Sequence, residues 1–399
     1  MHELPEGERT CPQCGGELGE MKGQTEDSEE ITVIRRQFVV VRQRRQKYRC
    51  RCNACVVTAP GPLKLKPQSR YSIDFAIEVA TSKYLDHLPL ERQVRVMRRE
   101  SLVVDSQTLW DQLETLAHHL TPTYEAIRKR VLSSELVHAD ETSWRLLESG
   151  TKKWWAWAVS SHDAVHYRIR DSRATESAAD LLNGYEGIVM ADGYGVYESL
   201  SRASPKIRLV NCWAHARRKF EETRENWPRE SEEMLSLIGE LYSIEREIPA
   251  WDPSAPEEDQ DRALAERRRV RQDRSRAVLG RLRDWMHAQR PLPQSELGKA
   301  IAYVGGRWAG LTAFVEEPRV PLDNNHIERS MRGPVLGRKN HYGSKSKRGT
   351  EVAAIFYTLF ETAKLAGVEP KAYLAAATRA AIRVPGTATL PREFVNGAA

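Results

Sequence analysis

The stretch Leu136-Val-His-Ala-Asp140-Glu-Thr-Ser-Trp144 constrains the fold of this chain more than any other. Its residues are mostly β-formers, and a period of two puts His138, Asp140 and Thr142 on one face, with Val137 and Ala139 on the other. An acid in the middle of such a strand is expensive to bury unless something compensates it. Two later stretches offer similar acids. Ile188-Val-Met-Ala-Asp192-Gly-Tyr-Gly is an apolar run of buried-strand type that ends on an acid and then glycine. Asp323-Asn-Asn-His-Ile-Glu328-Arg-Ser-Met-Arg332 reads as a helix start carrying the third. Two strand-borne aspartates and one helix-borne glutamate could together hold divalent cations against a phosphodiester.

Glu328 has a second reading. With Asn325 as N-cap it would be the third helical residue, where a glutamate closes a capping box, and it could also pair with Arg332 one turn on.

From Leu136 the pattern is strand, strand (Trp154–Val159), strand (Val165–Ile169), helix (Thr175–Leu182), strand to Asp192, then strand Ile207–Val210. A three-strand meander, a helix, and two further strands is the order of the ribonuclease-H-like α/β fold, a mixed sheet with flanking helices. That fold carries acids on its first and fourth strands and on a late helix. Residues 221–310 interrupt it with a helical insertion. This holds an acidic loop (Trp251–Asp261) and an arginine-dense helix (Arg267, Arg268, Arg269, Arg271, Arg274, Arg276), suited either to ion pairs on a solvated face or to DNA. Cys212 and His215 stand at C-x-x-H spacing. Two visible ligands favour packing or orienting the site over binding a metal, and His138, on the Asp140 face, is read as orienting too.

Ahead of the core, Cys11-Pro-Gln-Cys14-Gly-Gly and Cys52-Asn-Ala-Cys55 form the paired CxxC spacing of a zinc ribbon with one structural Zn²⁺, Cys50 being an alternative ligand. Reduced cysteines in a small core are the bland alternative. Ile31–Val41 between the knuckles reads as β-structure. Arg42, Arg44, Arg45, Lys47, Arg49 and Arg51 then make a basic face fit for phosphates. Apolar stripes (Ile73, Ala76, Ile77, Ala80; Leu90, Val94, Met97; Leu109, Leu113, Leu116, Leu120) predict three helices, the third capped by Ser106. They suit a helix-turn-helix or a plain packing bundle; Arg92, Arg95, Arg98 and Arg99 favour DNA. After Glu328 come Arg329, Arg332, Arg338, Lys339, Lys345, Lys347 and Arg348, a second basic segment, and then a helix capped by Thr350.

The expected domains are a zinc-ribbon DNA-binding module (1–60), a helix-turn-helix-like helical domain (61–132), the core with its insertion (133–349), and C-terminal helices with a tail (350–399). With 399 residues, 40% of them hydrophobic, the chain can bury several cores, and its net charge of +6 is concentrated in arginine clusters that suit a polyanion. No apolar run approaches the ~20 residues of a membrane span, no signal peptide opens the chain, and five of six cysteines lie before position 56, so a reduced cytoplasmic setting is expected.

Taken together, the CPQCGG knuckle, SKYLDHLPLERQ, HADET, ADGYGVY, CWAHARRKF, NNHIERSMR and TAKLAGVEP resemble, in family order over nearly the whole chain, the insertion sequence 66 family of bacterial transposases. The resemblance implies a DDE transposase whose triad is Asp140, Asp192 and Glu328. It would hold two Mg²⁺ (or Mn²⁺) ions and cut and join double-stranded DNA at the element's terminal repeats, as a homo-oligomer on DNA. A DNA-binding regulator or a nuclease that keeps the fold without strand transfer is the alternative. Family members usually carry a helical segment ahead of the knuckle, whereas Met1 here stands almost at it, a departure expected to touch end recognition or assembly and not the core.

Overall fold

The structure, a computed structural model, describes residues 3–33 and 36–397. Two compact units result, Met1–Val41 and Arg42–Ala399. In the first, a bridge between Thr10 and Glu17 closes the knuckle. The Cys11 amide donates to the Gly16 carbonyl (2.8 Å), and the chain reverses at Gly15, whose φ of +72° favours glycine. The β-structure expected over 31–41 is absent among the described residues. Ile31, Val33 and Val40 lie almost wholly exposed and no partner strand forms among the described residues of this unit, so their β-branched composition has no ladder to join; residues 34–35 of that expected stretch lie outside the described residues.

The second unit opens with the antiparallel pair β1 (Lys47–Arg49) and β2 (Val56–Thr58), whose connection carries Cys50, Cys52 and Cys55. Helices α1 (Ile73–Tyr84), α2 (Leu90–Arg99) and α3 (Ser106–Leu132) follow. The cap of α3 is Asp105 and not Ser106: its carboxylate accepts from the Thr108 amide at 2.6 Å, and its extended backbone suits the N-cap position. Then come β3 (Leu136–Arg145), β4 (Lys153–Ser160), β5 (Val165–Arg170), α4 (Thr175–Leu181), β6 (Gly187–Ala191), α5 (Gly195–Ala203) and β7 (Ile207–Asn211), the element order anticipated. They build one sheet in the order β5-β4-β3-β6-β7, with β3–β5 antiparallel and β3, β6 and β7 parallel. Helix α6 (Trp213–Glu221) leads into the insertion: α7 (Pro228–Glu247), α8 (Glu257–Val270), a π-helical turn (Arg271–Ser275), α9 (Arg276–Ala288), α10 (Glu296–Gly306) and α11 (Trp308–Thr312). The chain returns to the sheet through α12 (Asn325–His341) and closes with α13 (Lys347–Leu365), α14 (Pro370–Arg383) and α15 (Pro391–Gly397). Ser346, not Thr350, caps α13, its hydroxyl accepting from the Gly349 amide at 3.2 Å.

The insertion shares one apolar core with the sheet. Met190, Val210, Trp213 and Phe220 pack with Met234, Ile238, Leu241, Leu282 and Val304. At the opposite edge, β5 would expose unpaired backbone, and α13 covers it. Thr362 exchanges hydrogen bonds with the amide and carbonyl of Val165, and Thr358 accepts from the Tyr167 amide. The long α3 buries Leu109, Leu113, Leu116 and Leu120 completely and packs on α1, α13 and α14, whereas Arg92, Arg95, Arg98 and Arg99 of α2 stay exposed. Among the described residues, no helix is long and apolar enough to cross a membrane.

Candidate active site

Asp140 sits mid-strand on β3 and Asp192 one residue past the end of β6. The parallel register pairs Leu136 with Ile188 and His138 with Met190, and two residues further it brings Asp140 level with Asp192. Glu328 lies in the first turn of α12, which packs on β3. Burial first, then the charges of Glu141, Asp192 and Glu328, push the Asp140 carboxyl up to about 8, against one opposing hydrogen bond from the Glu141 amide.

Glu328 does not close a capping box. The N-cap is Asn324 and Glu328 is the fourth residue of the helix; its Oε1 is buried with no hydrogen-bond partner. Among the described residues the one basic side chain within 4 Å of it is His215, at 3.8 Å, and Arg332 is not paired with it.

Three groups that sequence reasoning missed hold these acids in place. Asn324, wholly buried, ties three segments together. Its Nδ2 donates to the Ala139 carbonyl (2.9 Å), its Oδ1 accepts from His138 Nδ1 (2.8 Å), and its amide donates to Cys212 Sγ (3.2 Å). Because Nδ2 is the donor, Oδ1 must accept, which fixes the proton on His138 Nδ1. Burial, with the neighbouring His326, holds the His138 imidazole neutral, pushed down to about 3. His138 therefore orients the helix that carries Glu328 by way of Asn324.

The second group surrounds Glu141. Its buried carboxylate accepts two bonds from Arg173 (2.9 and 2.6 Å) and one from Tyr197 (3.0 Å). Arg173 in turn lies over the Tyr194 ring at 3.9 Å, and the Tyr194 amide donates to Asp192 Oδ1 at 2.8 Å. The third group comes from α10. Tyr303 donates to the Asp192 carbonyl and Arg307 to the Gly193 carbonyl (2.7 Å), so closely that a Cβ on Gly193, at φ +95°, would sit 2.4 Å from Arg307 Nε. None of these roles has a local signature, since each partner is remote in sequence.

Helix α12 carries Pro334 in its interior, which strips the Ser330 carbonyl of its helical partner. The Tyr167 hydroxyl of β5 supplies the missing bond at 2.7 Å, so the helix runs on over the sheet. Along it, Arg329, Arg332 and Lys339 are exposed, as are Lys345 and Lys347 beyond, and none has a carboxylate within 4 Å among the described residues. Arg338 and Arg348 differ: Arg338 donates to Thr142 and Ser143 of β3, and Arg348 pairs with Glu114 (3.2 Å) and Glu351 (2.8 Å). Arg42, Arg44, Arg45 and Lys47 are all exposed, with Arg45 also donating to the Ala59 carbonyl at 2.6 Å.

All six cysteines are free thiols, and only Cys212 is buried. Backbone amides of Gln13 and Cys14 aimed at Cys11 lower its thiol, which fits a metal knuckle. In the second pair, Cys52 Sγ lies 3.0 Å from Cys50 Sγ, which lowers the Cys52 thiol, while the Cys50 amide donates to the Cys55 carbonyl (2.9 Å). The fit for divalent cations at the acids rests on two observations: like charges crowded onto Asp140, and an orphaned, buried Glu328 oxygen beside them.

Residues 68–352 match the family described as transposase IS66 family, and residues 8–53 match the zinc-finger binding domain of transposase IS66. The zinc-finger match includes Cys11, Cys14, Cys50 and Cys52 and stops short of Cys55. Among curated proteins the chain is 32% identical to the uncharacterized protein y4jD of Sinorhizobium fredii, over 92% of this chain and 73% of that one. It is 29% identical to y4hP of the same organism (92% and 69%) and 30% identical to y4qI (87% and 66%).

Proposed function

Given that the chain belongs to the IS66 transposase family, we propose that it cuts and joins DNA at the ends of a bacterial insertion sequence, using Asp140, Asp192 and Glu328 on a ribonuclease-H-like core. The observation that carries this reading is the convergence of three acids, from β3, the end of β6 and α12, on a buried Asp140 carboxyl that is raised by burial first and then by the charges of Glu141, Asp192 and Glu328. Such crowding costs stability, and a bound divalent cation would offset that cost. Mg²⁺ or Mn²⁺, two ions per site, would be held by these acids and would supply an activated attacking oxygen and a stabilised leaving oxygen.

The protein's own residues do the rest. Asn324, positioned by His138, fixes α12 against β3, so that Glu328 stays within reach of Asp140. Tyr303, Arg307 and the Glu141–Arg173 pair fix the Asp192 loop. Arg329, Arg332, Lys339, Lys345 and Lys347 grip the DNA backbone beside the cut, and Arg42, Arg44, Arg45 and Lys47 extend that contact. The zinc-finger match over residues 8–53 supports one structural zinc, and metal analysis of protein purified without chelator should find about one zinc per chain.

Incubating purified protein with labelled duplexes carrying the element ends and Mg²⁺ or Mn²⁺ tests the function. A transposase yields nicked ends with free 3′-hydroxyls and joined products. Cleavage without joined products would favour a nuclease, and binding without cleavage a regulator.

A further inference from the structure

Sequence alone shows two ligands at the C-x-x-H motif; the fold brings a third. Cys212 caps the N-terminal end of α6, His215 lies in its first turn, and Glu328 approaches from α12. A sulfur, a ring nitrogen and a carboxylate oxygen of these residues all lie within 4.8 Å of one another. Two of the atoms are conspicuous. His215 Nδ1 and Glu328 Oε1 are both buried, both lack any hydrogen-bond partner, and face each other at 3.8 Å. That gap is too wide for a hydrogen bond. One ion about 2.1–2.2 Å from each atom can bridge it once the two side chains close by several tenths of an ångström toward the spacing of neighbouring ligands. Cys212 is placed differently: it is wholly buried and its sulfur already accepts the Asn324 amide, so it backs the pair and is not free to ligate.

We propose that His215 is itself a metal ligand. Its Nδ1 and Glu328 Oε1 hold one divalent ion between them, and the nitrogen biases this position toward Mn²⁺ over Mg²⁺, because Mg²⁺ takes oxygen ligands whereas Mn²⁺ accepts imidazole as well as carboxylate. The proposal rests on the reading of Glu328 as a metal-holding acid. It adds a ligand and an ion preference to that reading.

The test uses the full chain with its zinc in place and Mn²⁺ as probe. Pulsed electron paramagnetic resonance of the wild-type protein with one equivalent of Mn²⁺ should show coupling to a ¹⁴N nucleus, and His215→Gln should remove it. In Mn²⁺ titrations with Mg²⁺ as competitor, His215→Gln should weaken Mn²⁺ about 10–100-fold and leave Mg²⁺ nearly unchanged. Absence of the nitrogen coupling in wild type overturns the proposal, and needs no variant to fold. Equal weakening of both ions also overturns it, since that is what a residue that only orients Glu328 would give. The acid assignment fails by a different result: Glu328→Gln and Asp140→Asn cutting DNA at the wild-type rate.

Discussion

The insertion and the face that carries the acids handle charge in opposite ways. In the insertion, Arg271 is fully buried and each of its three guanidinium nitrogens is hydrogen-bonded: Glu245 accepts two bonds (2.7 and 2.8 Å), and the carbonyls of Phe314 and Pro318 accept one each. Arg267 shares the same glutamate, and Arg274 and Arg276 pair with Glu247 and Glu316. At the acids, by contrast, like charges are gathered, and the cations of α12 are left without carboxylates. Paired charge fixes a structure, whereas unpaired charge waits for a ligand of opposite sign. Of the six arginines of the arginine-dense helix, five pair with glutamates, and the pairs run between segments more than along one helix.

Breaking one charge on each side should separate the two regimes most sharply. Glu328→Gln should reduce cleavage on the order of 10³-fold, with the folded state as stable as before. Glu245→Gln should do the reverse. Two buried guanidiniums lose their counter-charge, at about 3–5 kcal/mol, which chemical denaturation would read as a lower midpoint. An unchanged midpoint for Glu245→Gln would show that the carbonyls alone suffice.

Next in size is a gain. A carboxyl whose pKa is raised on folding, from 3.8 to about 8 at Asp140, binds its proton more tightly in the folded state. Stability from this group is therefore present at low pH and lost as pH climbs through that window. Asp140→Asn should be more stable than wild type by on the order of a few kcal/mol at pH 8, and nearly equal to it at pH 4. Mg²⁺ should raise the melting temperature of wild type at pH 8 and do little for the variant. If Asp140→Asn is destabilised at pH 8, folding does not raise the Asp140 carboxyl, whether by burial or by its acidic neighbours.

The acids were legible in the sequence because their cues are local: a period of two around Asp140, an apolar run ending at Asp192, a helix start before Glu328. The order of strands followed from the same periodicities. What was hidden depends on partners far along the chain. Asn324 looked like one more polar residue at a helix start, yet it meets Ala139, His138 and Cys212, which lie more than a hundred residues away. The arginines of the insertion could not be sorted without seeing Glu245 on another helix. The described residues of 31–41 misled for the same reason, since a strand needs a neighbour. Asn324→Ala should accordingly slow cleavage about 10–100-fold by loosening α12, with DNA affinity retained. Unaltered rates would make the clamp a matter of folding alone.

The smallest effect is the most direct measure of the contrast between the two arginine sets. A cation that neutralises a phosphate releases a counterion, and each such contact adds roughly 0.9 to the slope of log affinity against log salt. Arg329 and Arg332 are exposed and free of carboxylates, so replacing either by alanine should lower that slope by about one. Arg274 and Arg276 are as basic in composition, but Glu247 and Glu316 hold them at 2.5 Å. Contact with a phosphate would require breaking that pair and leaving a glutamate facing DNA, so Arg274→Ala and Arg276→Ala should leave the slope where it was. Equal slopes for all four variants would mean that exposure, and not pairing, decides which arginines meet DNA, and the insertion would have to be placed against the duplex after all.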